Sequence, residues 1–221
     1  MGKLYVVATP IGNLSDISKR ALDVLAQVDL IICEDTRVAK KLLVSYEIKT
    51  PTWSYHEHSG QMKIQEIIKK LKQGENLALI SDAGTPAISD PGNYLINQII
   101  AEDIDAEIIP IPGPSALITA LSVTALRNDT FLFLGFLPHK KGRQTMLKKI
   151  KETSDTVVIY ESKHRILKLL TELKEVDKKV EVFRELTKIH ETIYRSSLDE
   201  TIKKITEHPE EQKGEFVVII R

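Results

Sequence analysis

The chain holds a single cysteine, Cys33, among 221 residues. That excludes an intrachain disulfide and leaves no cysteine-based metal cage. Cys33 itself closes the apolar run Leu30-Ile31-Ile32-Cys33 and reads as a small buried residue of a strand. Excess charge is missing too, because 31 basic residues balance 31 acidic ones. Such balance argues against a histone-like nucleic-acid binder while leaving room for a local basic cleft. No apolar run approaches the ~20 residues needed to cross a bilayer. Met1-Gly2-Lys3 leads directly into strand-like sequence without a targeting segment, so a cytoplasmic protein with no membrane contact is expected. Gly-x-Gly-x-x-Gly and Gly-Lys-Ser/Thr are both absent, which makes a dinucleotide or nucleoside triphosphate a poor fit. Internal repeats and low-complexity tracts are absent as well.

What is present is ordinary globular composition, 42% hydrophobic and 28% charged, in a chain long enough for two domains of about 100 residues each. Strands are predicted at 4–8, 30–33, 77–80 and 107–111, with an extended piece at 53–58. Helices are predicted after a Ser15 or Asp16 cap, at 38–44, at 61–72 with Gly74 as its stop, and beyond Pro91. Alternation of this kind implies a mostly parallel sheet covered on both faces. A domain boundary is expected near Pro112-Gly113-Pro114-Ser115-Ala116, dividing the chain into residues 1–113 and 114–221. The second half is again mixed, with strands at 131–135, 156–160, 180–184, 192–195 and 216–220. Helices are expected there at 143–151, 165–176 and 198–207. Residues 192–195 follow the preceding strand too closely for a crossover helix, so a hairpin and antiparallel pairing are expected.

The densest signal is SDAGTPAISDPG at residues 81–92, which follows a compact apolar strand and precedes an amphipathic helix. An ordinary strand-to-helix turn uses two or three special residues; this one has two glycines, two prolines, two aspartates, two serines and a threonine. Other polar clusters also follow strands, at 9–13, 34–37, 115, 161–165 and 184–188. In a wound sheet such ends converge on one edge, where open α/β sheets bind ligands. Acid-rich, glycine-rich loops suit a neutral-to-cationic ligand bearing a ribose and a flat base, with close backbone approach at Gly84. His56 and His58 face one way on a strand but lack a nearby third metal ligand. Lys140-Lys141-Gly142-Arg143 and Lys148-Lys149 are either a solvated face or a grip on phosphates.

Eight blocks run in order through the chain: ATPIGNLSDIS (8–18), CEDTR (33–37), SDAGTPAISDPG (81–92), PGPSA (112–116), GFLP (135–138), YESKHR (160–165), RELTK (184–188) and GEFVVII (214–220). Together they resemble the ribosomal-RNA branch of the tetrapyrrole methylase superfamily, the class III S-adenosylmethionine-dependent methyltransferases. The resemblance implies two α/β domains, the first mostly parallel and the second mixed, with the methyl donor in a cleft between them, and a homodimer. It implies 2′-O-methylation of a cytidine ribose in the decoding region of small-subunit ribosomal RNA, on naked RNA or on the assembled subunit, without a metal. By position, the donor is expected at Pro10, Asp82, Ala83, Gly84, Ile88, Asp90, Ser115, Ala116, Glu161 and Leu186. Asp35, Arg37, His56, Arg165, Arg184 and Lys188 are expected to face the RNA. Glu34, Glu185 and Lys188 are the candidates for a general base or for orienting the ribose.

Two departures bear on this reading. The first loop, Thr-Pro-Ile-Gly-Asn, is less glycine-rich than in tetrapyrrole-modifying relatives and favours the RNA branch. Many RNA-branch members continue past the last strand, whereas the sequence here ends at Arg221, so any RNA grip carried by such an extension is expected to be missing. Competing readings are methylation of a small tetrapyrrole or other metabolite, and a silent sensor of an adenosyl ligand.

Overall fold

The computed structural model describes residues 1–56 and 59–221. They divide into two compact units, Met1–Ser115 and Ala116–Arg221. Unit 1 runs β1 (Lys3–Val7), α1 (Lys19–Gln27), β2 (Leu30–Cys33), α2 (Thr36–Ser45), β3 (Thr52–Ser54), α3 (Gln61–Lys72), β4 (Leu77–Leu79), α4 (Gly92–Ala101) and β5 (Glu107–Ile111). Its sheet has the order β3-β2-β4-β1-β5, and every pair is parallel. The alternation of side chains along each strand decides which layer they join. Leu30 and Ile32 of β2, with Leu77 and Leu79 of β4, pack among Ile64, Ile67, Ile68 and Leu71 of α3 and Leu95 and Ile99 of α4. Ile31 and Cys33 of the same β2 join Ala21 and Leu25 of α1 and Ala39 and Leu43 of α2 on the other face. Each fully buried aliphatic side chain contributes about 1.5–3 kcal/mol, so two apolar layers on one sheet hold its polar strand ends in place.

Capping chemistry sets the helix starts. α1 begins at Ser18, whose Oγ accepts from the Ala21 amide. Ser15 and Asp16 instead belong to a single 3₁₀ turn, Leu14–Asp16, capped by Asn13, so the expected cap shifts by one short turn. Asp35 caps α2 and accepts from the Arg37 amide. α3 stops where Gly74 adopts φ +91°, as expected. The extended piece expected at 53–58 is only β3, because His56 already turns back through its amide onto Ser59 Oγ; Glu57 and His58 lie outside the described residues.

Unit 2 runs α5 (Ala116–Val123), β6 (Phe131–Phe136), α6 (Arg143–Glu152), β7 (Thr156–Ser162), α7 (Ile166–Leu173), β8 (Val180–Arg184), β9 (Thr192–Tyr194), α8 (Leu198–Glu207) and β10 (Glu215–Ile220). Its sheet, β6-β7-β10-β8-β9, is mixed: β6 and β7 are parallel, and the other pairs are antiparallel, including the β8–β9 hairpin. Consequently β6, β7 and β8 all end at the same edge, where β10 begins. The core gathers Val157, Ile159, Leu169, Leu170, Val218 and Ile220. α7 ends at Leu173 and not at 176, with a 3₁₀ turn following it.

Candidate functional site

In unit 1 the long loop after β4 is hydrogen-bonded to the loops after β1, β2 and β5. Thr9 and Gly84 exchange backbone hydrogen bonds, Thr9 N–H to Gly84 O at 2.9 Å and Gly84 N–H to Thr9 O at 3.1 Å. Gly84 sits at φ +85°, with any Cβ placed 3.3 Å from Ile11 Cγ2; only glycine takes that conformation at so close an approach without strain. The Asp35 amide donates to Asp82 Oδ1 at 3.2 Å, and Thr85 Oγ1 donates to Pro114 O at 3.0 Å. Four strand ends therefore form one connected rim, as convergence at a parallel-sheet edge predicts.

The far half of the loop is strained and knotted. Ala87 and Ser89 both have positive φ, 71° and 67°, and the exposed Ile88 lies between them. Asp90 holds that shape: its Oδ1 accepts from the Ala87 amide at 2.7 Å and from the Gly92 amide at 2.8 Å. Non-glycine residues at positive φ persist only where their surroundings over-determine them, and such strain collects at functional sites.

Carboxylates crowd this rim. Glu34, half-buried at the end of β2, has its pKa raised by burial first, then by the nearby Asp90 and Asp82 charges, against the Asp82 amide that favours its ionised form. Burial also raises Asp82, partly countered by the Asp35 amide. Asp35 goes the other way: hydrogen bonds from the Arg37 side chain and amide hold its carboxyl down at about 2. Cys33, behind them, is pushed up to about 12 by burial and by the three nearest carboxylates. Pro10 is half-buried, Asp82 and Ala83 are exposed on the rim, and Ser115 closes unit 1 half-buried. His56 is exposed beyond β3. Among the described residues no group of three or more His, Cys, Asp or Glu is placed to hold a metal.

Unit 2 carries the other expected residues, and several prove to be internal ties. Glu161 is buried, and both its oxygens accept from Arg165, Nε at 2.8 Å and Nη2 at 2.9 Å. Arg165 also donates to Leu137 O at 2.7 Å, so its guanidinium is committed inward rather than toward RNA. Arg184 is 6% exposed, and its guanidinium donates to the carbonyls of Lys213, His190 and Glu210. It closes the β8–β9 hairpin onto the chain before β10, and the expectation that it faces RNA gives way to that role.

Glu185 and Lys188 form a second tie. Lys188 Nζ lies 2.7 Å from Glu185 Oε1 and 2.9 Å from Glu215 Oε2, and the Glu215 amide donates to Glu185 Oε1 at 2.9 Å. Gly214 makes room, since a Cβ there would come 2.5 Å from Glu185 Cγ and Cδ. Burial raises Glu185, but Lys188 and the Glu215 amide outweigh it and bring its pKa below the ordinary value. Burial likewise opposes the Lys188 charge, and the two carboxylates overcome it. A stabilised carboxylate paired with a protonated lysine makes a poor general base, so both residues are reassigned from proton transfer to holding the turn. That turn carries the buried Leu186 and Thr187 at φ +66°. Thr187 Oγ1 is buried with no hydrogen-bond partner among the described residues. A β-branched residue at positive φ with an orphan hydroxyl is what a ligand-supplied partner would explain. Its neighbours in RELTK drew attention by charge; Thr187 carried no sequence signal beyond lying in that block.

With this geometry in view, comparison with known proteins is decisive. A family profile described as tetrapyrrole (corrin/porphyrin) methylases matches residues 3–202. This chain is a tetrapyrrole methylase family member. Within the tetrapyrrole methylases it is 48% identical over 221 residues to ribosomal RNA small subunit methyltransferase I of Vibrio cholerae, covering 98% of this chain and 76% of that protein. It is 43% identical to the protein of the same name from Thermotoga maritima, covering 100% of this chain and 98% of that one. Solved structures share the tetrapyrrole methylase fold at low identity. Diphthine synthase matches with a TM-score of 0.76 at 12% identity, covering 99% of this chain and 90% of the other. Uroporphyrin-III C-methyltransferase of Thermus thermophilus, solved with S-adenosylhomocysteine, matches at 0.67 and 12%, covering 99% and 97%.

Proposed function

We propose that this protein transfers a methyl group from S-adenosylmethionine to small-subunit ribosomal RNA, at the 2′-hydroxyl of a cytidine in the decoding region. The observation that carries this reading is near-full-length identity of 43–48% to relatives named for that RNA. A cytoplasmic location and a homodimer belong to the same proposal. Of the expected donor residues, those of unit 1 are assigned to it: Pro10, Asp82, Ala83, Gly84, Ile88 and Ser115, with Asp90 holding the loop that carries Ile88. The residues fit such a ligand. Gly84 lacks a side chain at the rim and Ala87 and Ser89 hold positive φ values on either side of the exposed Ile88, and the carboxylates around Glu34 and Asp82 favour a cationic group. When bound, the donor supplies a methyl group already activated on a sulfonium, so the chain is asked mainly to align the acceptor oxygen.

Of the three base candidates, Glu34 remains. Its raised pKa brings its basicity closer to that required to take a proton from a hydroxyl as that hydroxyl becomes acidic. Asp35 and Arg37 are assigned to the RNA side of the rim, with Arg37 exposed and held by Asp35. The test is incorporation of labelled methyl into purified small subunits set against incorporation into a tetrapyrrole such as uroporphyrinogen. Label in RNA alone supports the proposal, and label in the tetrapyrrole alone overturns it.

A further inference from the structure

Net neutrality hides an uneven distribution in unit 2. Elsewhere on its surface some lysines find carboxylates, as Lys148 does in Glu152, Lys174 in Asp199 and Lys203 in Glu207, while Lys149, Lys151 and Lys168 are exposed singly without an ion pair among the described residues. At the edge where β6 and β7 end, Lys140, Lys141 and Lys163 are all exposed, and none has an ion-pair partner among the described residues. His139 and His164 lie beside them in the chain and are also exposed.

Three contacts order these loops. Phe136 and Tyr160 are partners in the parallel β6–β7 ladder, so the segments that follow emerge side by side. Arg165 reaches from the second loop to Leu137 O in the first through Nη2, while Nε and Nη2 donate to Glu161. Arg143, 4% exposed, donates to Pro138 O at 3.2 Å and pairs with Glu172. The arginines thus turn inward and stiffen the loop bases, and the lysines are left facing water. Clustering three like charges without counter-charges is unfavourable for the folded chain alone. Bound polyanion reverses the sign, and lysine serves phosphate as a point charge.

We infer that this edge, built from residues 139–141 and 163–164, holds the phosphate backbone of the RNA substrate. The inference rests on the RNA-methylation reading above and supplies the contact surface that Arg165 and Arg184 do not. The experiment measures binding of the full-length protein to small subunits, and to protein-free small-subunit RNA, across a salt series. The Lys140→Ala/Lys141→Ala/Lys163→Ala variant is compared with wild type and with Lys203→Ala. Neutralising three phosphate contacts lowers the slope of log affinity against log salt by about 2–3. The Lys203→Ala slope stays at the wild-type value, as does the triple variant's affinity for S-adenosylhomocysteine. An unchanged slope in the triple variant overturns the inference while leaving methylation of RNA intact. A loss confined to assembled subunits assigns the edge to a ribosomal protein and overturns it too. If wild type neither binds nor methylates either RNA probe, the functional reading itself fails.

Discussion

The Asp90 knot permits a quantitative test of how the long loop of unit 1 is held. Asp90 Oδ1 accepts two amide hydrogen bonds, from Ala87 and Gly92, at 2.7 and 2.8 Å. Hydrogen bonds to a charged group contribute about 1.5–3 kcal/mol each, so Asp90→Ala removes about 3 kcal/mol or more of loop organisation. Ala87 and Ser89 then relax from their positive φ, where each is strained by about 1–3 kcal/mol. A loop that must be re-ordered on binding reduces affinity by the fraction of competent loop. About 3 kcal/mol corresponds to a factor of roughly 100 in the S-adenosylhomocysteine dissociation constant. Asp90→Asn keeps an acceptor oxygen but loses the charge, and a loss of about tenfold is expected. The assay is titration calorimetry on both variants, with circular dichroism to confirm that each is folded. Wild-type affinity in Asp90→Ala would refute the argument that this carboxylate shapes the site.

Further outcomes follow from the same contacts. Gly214→Ala forces a Cβ to 2.5 Å from Glu185 Cγ and Cδ at φ +104°; a loss of about 2–4 kcal/mol in denaturant unfolding is expected, and a loss below about 0.5 would contradict the packing. Arg184→Ala removes three charge-assisted hydrogen bonds to carbonyls and should reduce stability by about 3 kcal/mol; unaltered unfolding with weakened RNA binding would restore it to the RNA face. Glu34 has a folded-state pKa above its ordinary 4.5. Its contribution to stability is therefore complete below the unfolded value and is lost as pH rises through the raised one. Glu34→Gln is expected to be more stable than wild type at pH 7 and equal to it at about pH 4, while its single-turnover rate falls and loses the acid limb. A full rate in Glu34→Gln removes it as base. Cys33, with its thiol pushed up to about 12, should resist iodoacetamide at pH 8 in the native protein and react once it is unfolded.

The elements were legible where periodicity and turn chemistry agree. Ile64, Ile67, Ile68 and Leu71 mark one helical face, and all four are buried in one layer. The crowded residues of 81–92 marked an unusual loop by composition alone, and the folded loop is tied to its three neighbours. Sequence could not show which hydroxyl caps α1, because Ser15 and Ser18 both offer the chemistry, and only the fold places Ser15 inside a 3₁₀ turn and Ser18 at the helix start. Nor could it show which charged groups turn inward. Arg184 ends a strand buried on both faces, and a strand-end arginine reads as surface until its carbonyl partners are known. Lys140 and Arg143 stand three residues apart in one basic run, yet one faces water and the other is buried against Glu172. Glu185 reads as a base from its motif and as a tie from its contacts, since only the fold brings Gly214 and Glu215 to it.

Methyl transfer from labelled S-adenosylmethionine to small ribosomal subunits from a strain lacking the endogenous enzyme tests the central claim most directly, with the modified nucleoside identified by mass. The account predicts 2′-O-methylcytidine at a single site in the decoding region. No incorporation, or methyl on a base in place of the ribose, with donor binding intact, would contradict it.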